Sequence, residues 1–457
     1  MLRQIAKHAV PSPVRRLLRQ AVARLAEVKR CSRFALGRRL LMDKGSAIKR
    51  LVKRSIYLVV CVLYRIAPRY VRGVINEQSK VINSLQQLPI ATVVPVKTHE
   101  VVFEGIMIDS IEVTPKNELE IMTKLIASYS AAKEQQPFAA RPYLPGAEWK
   151  IVLDTGWQVY RDAIARNDVK LLAQMLRNFF RNEALSGFWG PYDMFTSFCD
   201  LEGDACTSRA DLMIAQFEEW RSLFPTTPLE ELDAPRIGNP WGYVFGGKVL
   251  YEPVFEYHYQ AHYFQSLLAH VETPIVLEIG GGFGGLAYHI LKRTPVVKYI
   301  GLDLPENILL QAYYLSCAFP GARILTFSKE ITMLDLKTIN AYDIILMPNF
   351  MMPQIASCTA DLIVNVRSLS EMPSETIDEY IHQIDRIGRL WFFHENIFRA
   401  RTDGWFGIPS ADFPKPINHV LVAASKSRWP RYRVQTSYPC QENLYLHRNV
   451  LEAHTVQ

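Results

Sequence analysis

The chain has 457 residues, of which 49% are hydrophobic and 21% are charged, a composition typical of a globular protein. This length is too great for one compact core, so two or three domains are expected. Seven scattered cysteines without CxxC spacing argue against a disulfide framework, a zinc site or an iron–sulfur cluster, and they favour a reducing, cytoplasmic compartment.

The net charge of +7 is distributed unevenly. Residues 1–80 hold 20 lysines and arginines against three acids, whereas the rest of the chain is acidic overall. The apolar run 56–64 is far shorter than the ~20 residues that span a bilayer. We expect a basic amphipathic helical segment that either contacts the inner face of a membrane peripherally or packs as a solvated bundle. Nucleic acid binding ranks third, because no aromatic interleaving or zinc spacing supports it.

Residues 81–235 show helical periodicity, for example over 119–126 and 169–182, which predicts a mostly helical substrate or lid domain. Turn formers then concentrate in one stretch that includes Gly238-Asn239-Pro240. We place a domain boundary there, so that residues 236–457 form the next domain.

The most informative stretch is Val276-Leu277-Glu278-Ile279-Gly280-Gly281-Gly282-Phe283-Gly284-Gly285. A short apolar run, a burst of glycines and a segment with helical spacing predict a buried strand, a tight turn and a helix. Glycines let the backbone approach a ligand closely, and the helix N-terminus offers N–H groups to it. The stretch therefore predicts a cradle for a nucleotide or cofactor.

The glycines fit two cofactor templates. One is the dinucleotide fingerprint G-x-G-x-x-G, which begins at Gly280 and is followed by Asp303 near the expected distance. The other is acid-x-Gly-x-Gly-x-Gly, formed by Glu278, Gly280, Gly282 and Gly284. The extra acid favours S-adenosylmethionine, since a carboxylate at that position attracts the cationic methionyl moiety and repels a pyrophosphate.

Apolar strands alternate with helices after the glycine loop, which predicts a doubly wound, mostly parallel α/β sheet of the Rossmann-like type. Ligands of such sheets bind beyond the carboxyl ends of the strands. A carboxylate at Asp303, after the second strand, suits the hydroxyls of a ribose. The polar residues expected on this rim are Glu278, Asp303, Asn349, Arg367, Glu371, His394 and Glu395.

The stretch 278–285 with Asp303 resembles motif I and the following acidic position of class I S-adenosylmethionine-dependent methyltransferases. More narrowly, several blocks between Arg236 and Asn396 resemble the bacterial putative sugar O-methyltransferase family. These blocks are Gly238-Asn239-Pro240, 277–287, 303–306, Asn365-x-x-Ser368-Leu369-Ser370-Glu371-Met372 and His394-Glu395-Asn396.

This resemblance implies a class I methyltransferase sheet preceded by the mostly helical region, with residues 1–80 outside the match. It implies S-adenosyl-L-methionine as the cofactor and methyl transfer to a sugar hydroxyl. The acceptor would be a lipid-linked or nucleotide-linked saccharide in polysaccharide or glycolipid biosynthesis.

Transfer to a hydroxyl requires alignment of donor and acceptor and removal of one proton. His394 is the first candidate for the base, and Glu395 beside it is a candidate for orienting the imidazole, although adjacent strand residues point to opposite faces. Glu371 is the alternative base.

For the adenine ring, Asn349 and Ser328 are both candidates, because the sequence leaves open which strand is third in the sheet. Asp303, Glu371 and Glu395 are not spaced as a ligand set, so no metal is predicted.

Two other classes of function stay open. A nicotinamide-dependent oxidoreductase or epimerase would bind NAD(P) and would tolerate Glu278→Ala. A non-catalytic adaptor with a methyltransferase fold would bind the cofactor without turnover and would dock on membranes through residues 1–80.

Overall fold

The computed structural model describes residues 103–107, 112–182, 184, 204–399, 407–432 and 439–453. Residues Leu88–Gln457 form one compact unit. The basic segment 1–80, its predicted helices and its predicted membrane contact lie outside the described residues. Among the described helices, none combines the length and apolar character that crossing a membrane requires.

Strands and helices follow one another along the described chain, and short 3₁₀ turns join several of them. In chain order they are β1 (Phe103–Met107), α1 (Glu118–Gln135), α2 (Ala147–Gly156), α3 (Gln158–Ala165), α4 (Val169–Arg177), α5 (Asp204–Leu223), β2 (Gly242–Phe245), β3 (Lys248–Leu250), α6 (Val254–Leu267), β4 (Ile275–Ile279), α7 (Gly285–Arg293), β5 (Lys298–Asp303), α8 (Pro305–Ala318), β6 (Ile324–Thr326), α9 (Leu336–Ala341), β7 (Ile344–Pro348), β8 (Ala360–Val366), α10 (Ser374–Ile387), β9 (Gly388–Ile397), β10 (His419–Lys426), β11 (Cys440–His447) and α11 (Arg448–Ala453).

The main sheet has the strand order β10-β11-β9-β8-β4-β5-β7-β6. Strands β6, β7, β5, β4, β8 and β9 run parallel to one another, whereas β11 is antiparallel to both β9 and β10. A separate small sheet of β1, β2 and β3 is antiparallel. The chain runs outward from β4 through β5 and later returns to β8 on the other side of β4, so the strand order reverses at β4.

Alternating residues of the central strands enter two different cores, because successive side chains of a strand point to opposite faces. Val276 packs with helices α6, α7 and α8, whereas Leu277 packs with helix α10 on the other face. All five residues of β4 are buried, as expected for a parallel strand covered on both sides. The Rossmann-like doubly wound sheet and the helical region that precedes it are therefore confirmed.

The helical region before residue 235 shares a core with the sheet. Helix α1 reaches α8, where Lys133 lies 2.9 Å from the buried carboxylate of Glu306. The ring centroid of Phe179 lies 6.0 Å from that of Phe283 in the glycine loop. The predicted division at residues 235 and 236 stays a prediction.

Strand β9 is longer than the sequence suggested. The apolar run ends at Phe393, but β9 continues to Ile397. Pairing on both sides extends it, since His394 lies opposite Asn365 of β8 and Ile397 lies opposite Cys440 of β11. His394 and Glu395 therefore lie within the strand and not beyond its carboxyl end.

Candidate active site

A cavity of about 300 Å³ lies at the carboxyl ends of β4, β5, β7 and β8, where the strand order reverses. This is the position at which open α/β sheets bind ligands. The volume of the cavity is at the lower end of the range for ligand pockets. Seven of the residues predicted for the site and its rim line the cavity, namely Glu278, Gly280, Gly282, Asp303, Asn349, Arg367 and Glu371. Gly284, His394 and Glu395 are not among the lining residues.

The glycine loop owes its shape to positive φ angles of 74° at Gly280, 58° at Gly282 and 96° at Gly284. A Cβ on Gly280 would lie 2.1 Å from the Ser368 hydroxyl oxygen, so the loop passes close to the chain that follows β8. Gly284 is the residue before the first turn of α7 and accepts a backbone hydrogen bond from Tyr288. The glycines thus bring the loop backbone to the cavity at the start of a helix.

Glu278 is buried near the end of β4, with 3% of its surface exposed. Its carboxylate accepts a short hydrogen bond from the Tyr299 hydroxyl, which in turn accepts one from the Gln311 amide at 3.1 Å. Burial raises the pKa of Glu278 to about 7; the hydrogen bond from Tyr299 opposes this rise and the nearby Asp303 adds to it. A cationic ligand group at this position would favour the ionised carboxylate.

Asp303, the last residue of β5, ties the glycine loop to the next strand. Its carboxylate accepts hydrogen bonds from the backbone N–H of Gly282 at 3.0 Å, from that of Leu304 at 2.7 Å and from the Asn307 amide at 2.8 Å. Burial raises the pKa of Asp303 to about 6, and these hydrogen bonds limit the rise. The same carboxylate lines the cavity beside the loop that it holds.

Asn349 follows β7, the strand that pairs with β5, whereas Ser328 follows the edge strand β6. The Asn349 amide nitrogen donates to the Tyr143 carbonyl at 3.0 Å and to the Tyr380 hydroxyl at 2.9 Å. Its carbonyl oxygen is buried and has no hydrogen-bond partner within the described part of the chain. Because both donor bonds fix the amide orientation, this oxygen is an acceptor available to a ligand in the cavity.

The blocks around Asn365 and Asn396 form a hydrogen-bonded brace under the loop. The Asn365 amide donates to the Ile279 carbonyl at 3.0 Å, and the Asn396 amide donates to the Asn365 side-chain oxygen at 2.8 Å. The Asn396 oxygen accepts from the backbone N–H of Ser370 at 3.0 Å. These side chains hold the ends of β4, β8 and β9 in register around the cavity.

The helical region supplies one wall of the cavity. Lining residues there include Pro142, Leu144, Pro145, Gly146 and Trp149. The Trp149 indole N–H donates to the Glu371 carboxylate at 3.2 Å, so the acid is held against this wall.

His394 and Glu395 point to opposite faces of β9, so Glu395 does not orient the His394 ring. The His394 ring stacks on the Tyr445 ring with a distance of 5.8 Å between the ring centroids. The centroid of the Phe413 ring lies 5.7 Å from that of His394. Burial lowers the pKa of His394 to about 3. On the other face, the Glu395 carboxylate accepts from the Gln260 amide at 3.2 Å.

Arg367 brings a positive charge to the cavity wall. Its φ of 66° is rare for a residue with a side chain, and such strain is common at functional sites. Its guanidinium contacts the buried carboxylate of Glu256 and lies 3.8 Å from that of Glu395. Burial, reinforced by Glu256, raises the pKa of Glu395 well above its ordinary value, and the charge of Arg367 opposes this rise.

Tyr380 of α10 and Arg431 near the C-terminus are among the residues of this cavity that sequence reasoning missed. Neither belongs to a local motif, and only the packing of distant segments brings them here. Within the described residues, no group of three or more His, Cys, Asp or Glu side chains is placed to hold a metal ion.

No protein-family model matches the chain, and no curated protein matches its sequence. Among solved structures, it is similar to magnesium protoporphyrin IX methyltransferase (ChlM) from Synechocystis PCC 6803 with bound SAH. The identity is 10%, the match covers 50% of this chain and 93% of that chain, and the TM-score is 0.30. It is also similar to the N-methyltransferase NodS from Bradyrhizobium japonicum WM9, at 14% identity, 42% and 94% coverage and a TM-score of 0.27.

Proposed function

We propose that this protein is an S-adenosylmethionine-dependent O-methyltransferase that acts on a sugar hydroxyl. The observation that carries the proposal is the order of three polar side chains around one cavity. Glu278, Asp303 and Asn349 lie at the ends of β4, β5 and β7, which are neighbours in the sheet. This order follows that of the methionyl, ribose and adenine parts of the cofactor.

The residues present fit this cofactor in chemistry as well as in order. The Glu278 carboxylate suits the methionyl ammonium, and the Arg367 guanidinium suits the methionyl carboxylate. Asp303 accepts hydrogen bonds from ribose hydroxyls, and the unpartnered Asn349 oxygen accepts one from the exocyclic amine of adenine. When bound, the cofactor supplies a methyl group on a sulfonium, which is already a good electrophile.

The chain itself must then align the acceptor hydroxyl and remove its proton. We assign the base to Glu371, which lines the cavity and is positioned by the Trp149 indole. His394, the first candidate from the sequence, does not line the cavity, and its ring is buried against Tyr445 and Phe413.

The choice of a sugar acceptor rests on the blocks that resemble the sugar O-methyltransferase family. Two of these blocks form the brace of Asn365 and Asn396 that holds the glycine loop. The indole of Trp149 at the cavity wall is also suited to contact a sugar ring. We propose that the saccharide is lipid-linked or nucleotide-linked.

A nicotinamide-dependent oxidoreductase is the second candidate, because the glycines also fit a dinucleotide. It is disfavoured by Glu278, since a buried carboxylate beside the loop would repel a pyrophosphate. A non-catalytic adaptor would keep the cofactor site and lack turnover.

Calorimetric titration of the full chain with S-adenosylhomocysteine, NAD⁺ and NADP⁺ tests the cofactor. We expect binding of S-adenosylhomocysteine alone, weakened at least tenfold (~1.4 kcal/mol) by Asp303→Ala. Asp412→Ala, which removes an exposed carboxylate outside the cavity, is the matched control. Binding of a dinucleotide instead would refute the methyltransferase proposal.

Transfer of labelled methyl groups from S-adenosylmethionine to a panel of saccharides tests the acceptor and the base. We expect Glu371→Gln to lower kcat about 100-fold or more while the affinity for S-adenosylhomocysteine stays unchanged. A full rate in Glu371→Gln, together with loss of the rate in His394→Ala, would reassign the base to His394.

A further inference from the structure

A second cavity of about 510 Å³ lies outside the site described above. It is built from the turn-rich stretch after residue 232, the β2–β3 hairpin and helix α7. Its lining includes Asp233, Arg236, Lys248, Tyr251, Tyr288 and Lys292.

The Gly238-Asn239-Pro240 block gives this stretch a fixed shape. Gly238 and Asn239 have φ angles of 82° and 58°. A Cβ on Gly238 would lie 2.2 Å from the Phe179 ring, and the Asn239 amide donates to the Asn178 side chain at 2.7 Å. The turn is thereby locked onto the chain after α4, and it holds Arg236 and Pro240 at the cavity.

Three cationic side chains and one carboxylate line this cavity. Lys248 is neutralised, because its ammonium lies 3.0 Å from the Asp233 carboxylate and 3.6 Å from that of Glu230. The Lys292 ammonium instead donates to the backbone carbonyls of Asp233 at 3.1 Å and Glu231 at 3.3 Å.

Arg236 is exposed and makes no hydrogen bond or ion pair with any residue that the structure describes. Lys292 and Arg236 thus bring two positive charges to the cavity without a carboxylate paired to either of them. Guanidinium and ammonium groups that are not paired with a carboxylate are the usual protein ligands of phosphate.

We propose that this second cavity binds a phosphorylated small molecule, with the phosphate held by Arg236 and Lys292. Its volume is within the range of ligand pockets and far exceeds that of a phosphate alone. Tyr288, which is partly exposed, adds an aromatic wall that suits a sugar ring. The site therefore fits a sugar phosphate better than a free phosphate or pyrophosphate ion.

One aromatic layer separates the two cavities. Tyr251 lines the second cavity, and its ring centroid lies 6.5 Å from that of Tyr257 and 6.3 Å from that of Phe283. Tyr257 and Phe283 both line the first cavity. The phosphate site is thus adjacent to the proposed active site, although the proposal does not depend on methyl transfer.

The test is calorimetric titration of the full chain with glucose 1-phosphate, inorganic pyrophosphate and glucose. We expect glucose 1-phosphate to bind more tightly than pyrophosphate, and glucose not to bind. Arg236→Gln and Lys292→Gln should each weaken glucose 1-phosphate binding about tenfold. Lys337→Gln, an exposed lysine outside both cavities, should leave the affinity unchanged. Thermal unfolding of each variant checks that it is folded.

Tighter binding of pyrophosphate, still weakened by Arg236→Gln and Lys292→Gln, would uphold the site and identify the free anion as its ligand. Two results would overturn the proposal. One is that neither phosphate compound binds. The other is that binding survives both substitutions and is lost in Arg367→Gln, which would place the anion in the first cavity.

Discussion

At the scale of single residues, Glu278 is subject to two opposing requirements. Burial raises the pKa of Glu278 from the ordinary 4.5 to about 7. Between these two pH values, Glu278 is therefore protonated in the cofactor-free folded state but ionised in the unfolded chain. The stability contributed by the protonated form is present below pH 4.5 and is lost as the pH rises towards and through 7. The ionised form, in contrast, is the one that attracts a cationic ligand.

Glu278→Gln should therefore stabilise the protein above neutral pH and weaken its cofactor binding. We expect the free energy of unfolding of the variant, relative to the wild type, to rise by up to about 3 kcal/mol between about pH 4.5 and about pH 8. Urea denaturation at the two pH values measures this difference. A difference that does not change with pH would contradict the raised pKa.

The same variant should lose the pH dependence of binding. In the wild type, the affinity for S-adenosylhomocysteine should increase as the pH rises through about 7, because Glu278 then becomes ionised. Above this pH, Glu278→Gln should bind S-adenosylhomocysteine at least tenfold more weakly than the wild type (~1.4 kcal/mol per tenfold). The affinity of the variant should not change with pH. Calorimetry across this pH range provides the check.

Asn349 should select the exocyclic amine of adenine. Its buried side-chain oxygen has no hydrogen-bond partner in the described structure, and its amide nitrogen is held by Tyr143 and Tyr380. S-inosylhomocysteine, which carries a carbonyl in place of the amine, should bind the wild type about tenfold more weakly than S-adenosylhomocysteine. Asn349→Ala should bind both ligands equally. An undiminished preference in the variant would assign adenine recognition to another residue.

At the scale of elements, the glycine loop depends on close approach as well as on backbone conformation. Gly280→Ala should lower the free energy of unfolding by about 1.5 kcal/mol, because an alanine disfavours the left-handed backbone conformation. The clash of the new Cβ with Ser368 should add to this loss. Gly247→Ala is the matched control, since its φ of 72° is nearly the same and a Cβ there meets nothing within 4 Å. Urea denaturation should show the larger loss in Gly280→Ala, with loss of S-adenosylhomocysteine binding. Equal losses would mean that conformation alone requires the glycine.

At the scale of the whole molecule, the helical region and the sheet behave as one packed body. Glu306 of α8 accepts hydrogen bonds from Tyr129 at 3.2 Å and from Lys133 at 2.9 Å, both on α1. The Trp220 indole donates to His258 of α6 at 3.1 Å. Removing the helices would expose these polar groups and the apolar core around Phe283.

A chain that begins at residue 236 should therefore lack a cooperative unfolding transition, whereas one that begins at residue 88 should unfold cooperatively and bind S-adenosylhomocysteine as the full chain does. Circular dichroism during urea denaturation distinguishes these outcomes. Cooperative unfolding of residues 236–457 alone would support the domain boundary that the sequence predicts.

The sequence by itself determined the alternating strands and helices, the glycine loop and the cofactor-like pattern of Glu278 and Asp303. The strands, the helices and the glycine loop are local features, because each depends on hydrophobic periodicity or on glycines within about ten residues. Asp303 lies further along the chain, at a spacing that is itself part of the cofactor pattern. Helix α10 (Ser374–Ile387) is one such local element, because its apolar spacing and the preceding proline mark it in the sequence.

Only the tertiary structure decided which rim residues face the cavity. His394 and Glu371 are both polar residues near strand ends, yet pairing with β8 and β11 extends β9 past His394 and buries its ring among aromatics. Asn349 rather than Ser328 lies beside β5 because β7 inserts between β5 and β6. The second cavity likewise arises from segments far apart in the chain. Strand order, register and packing between distant segments set these outcomes, and local sequence patterns do not encode them.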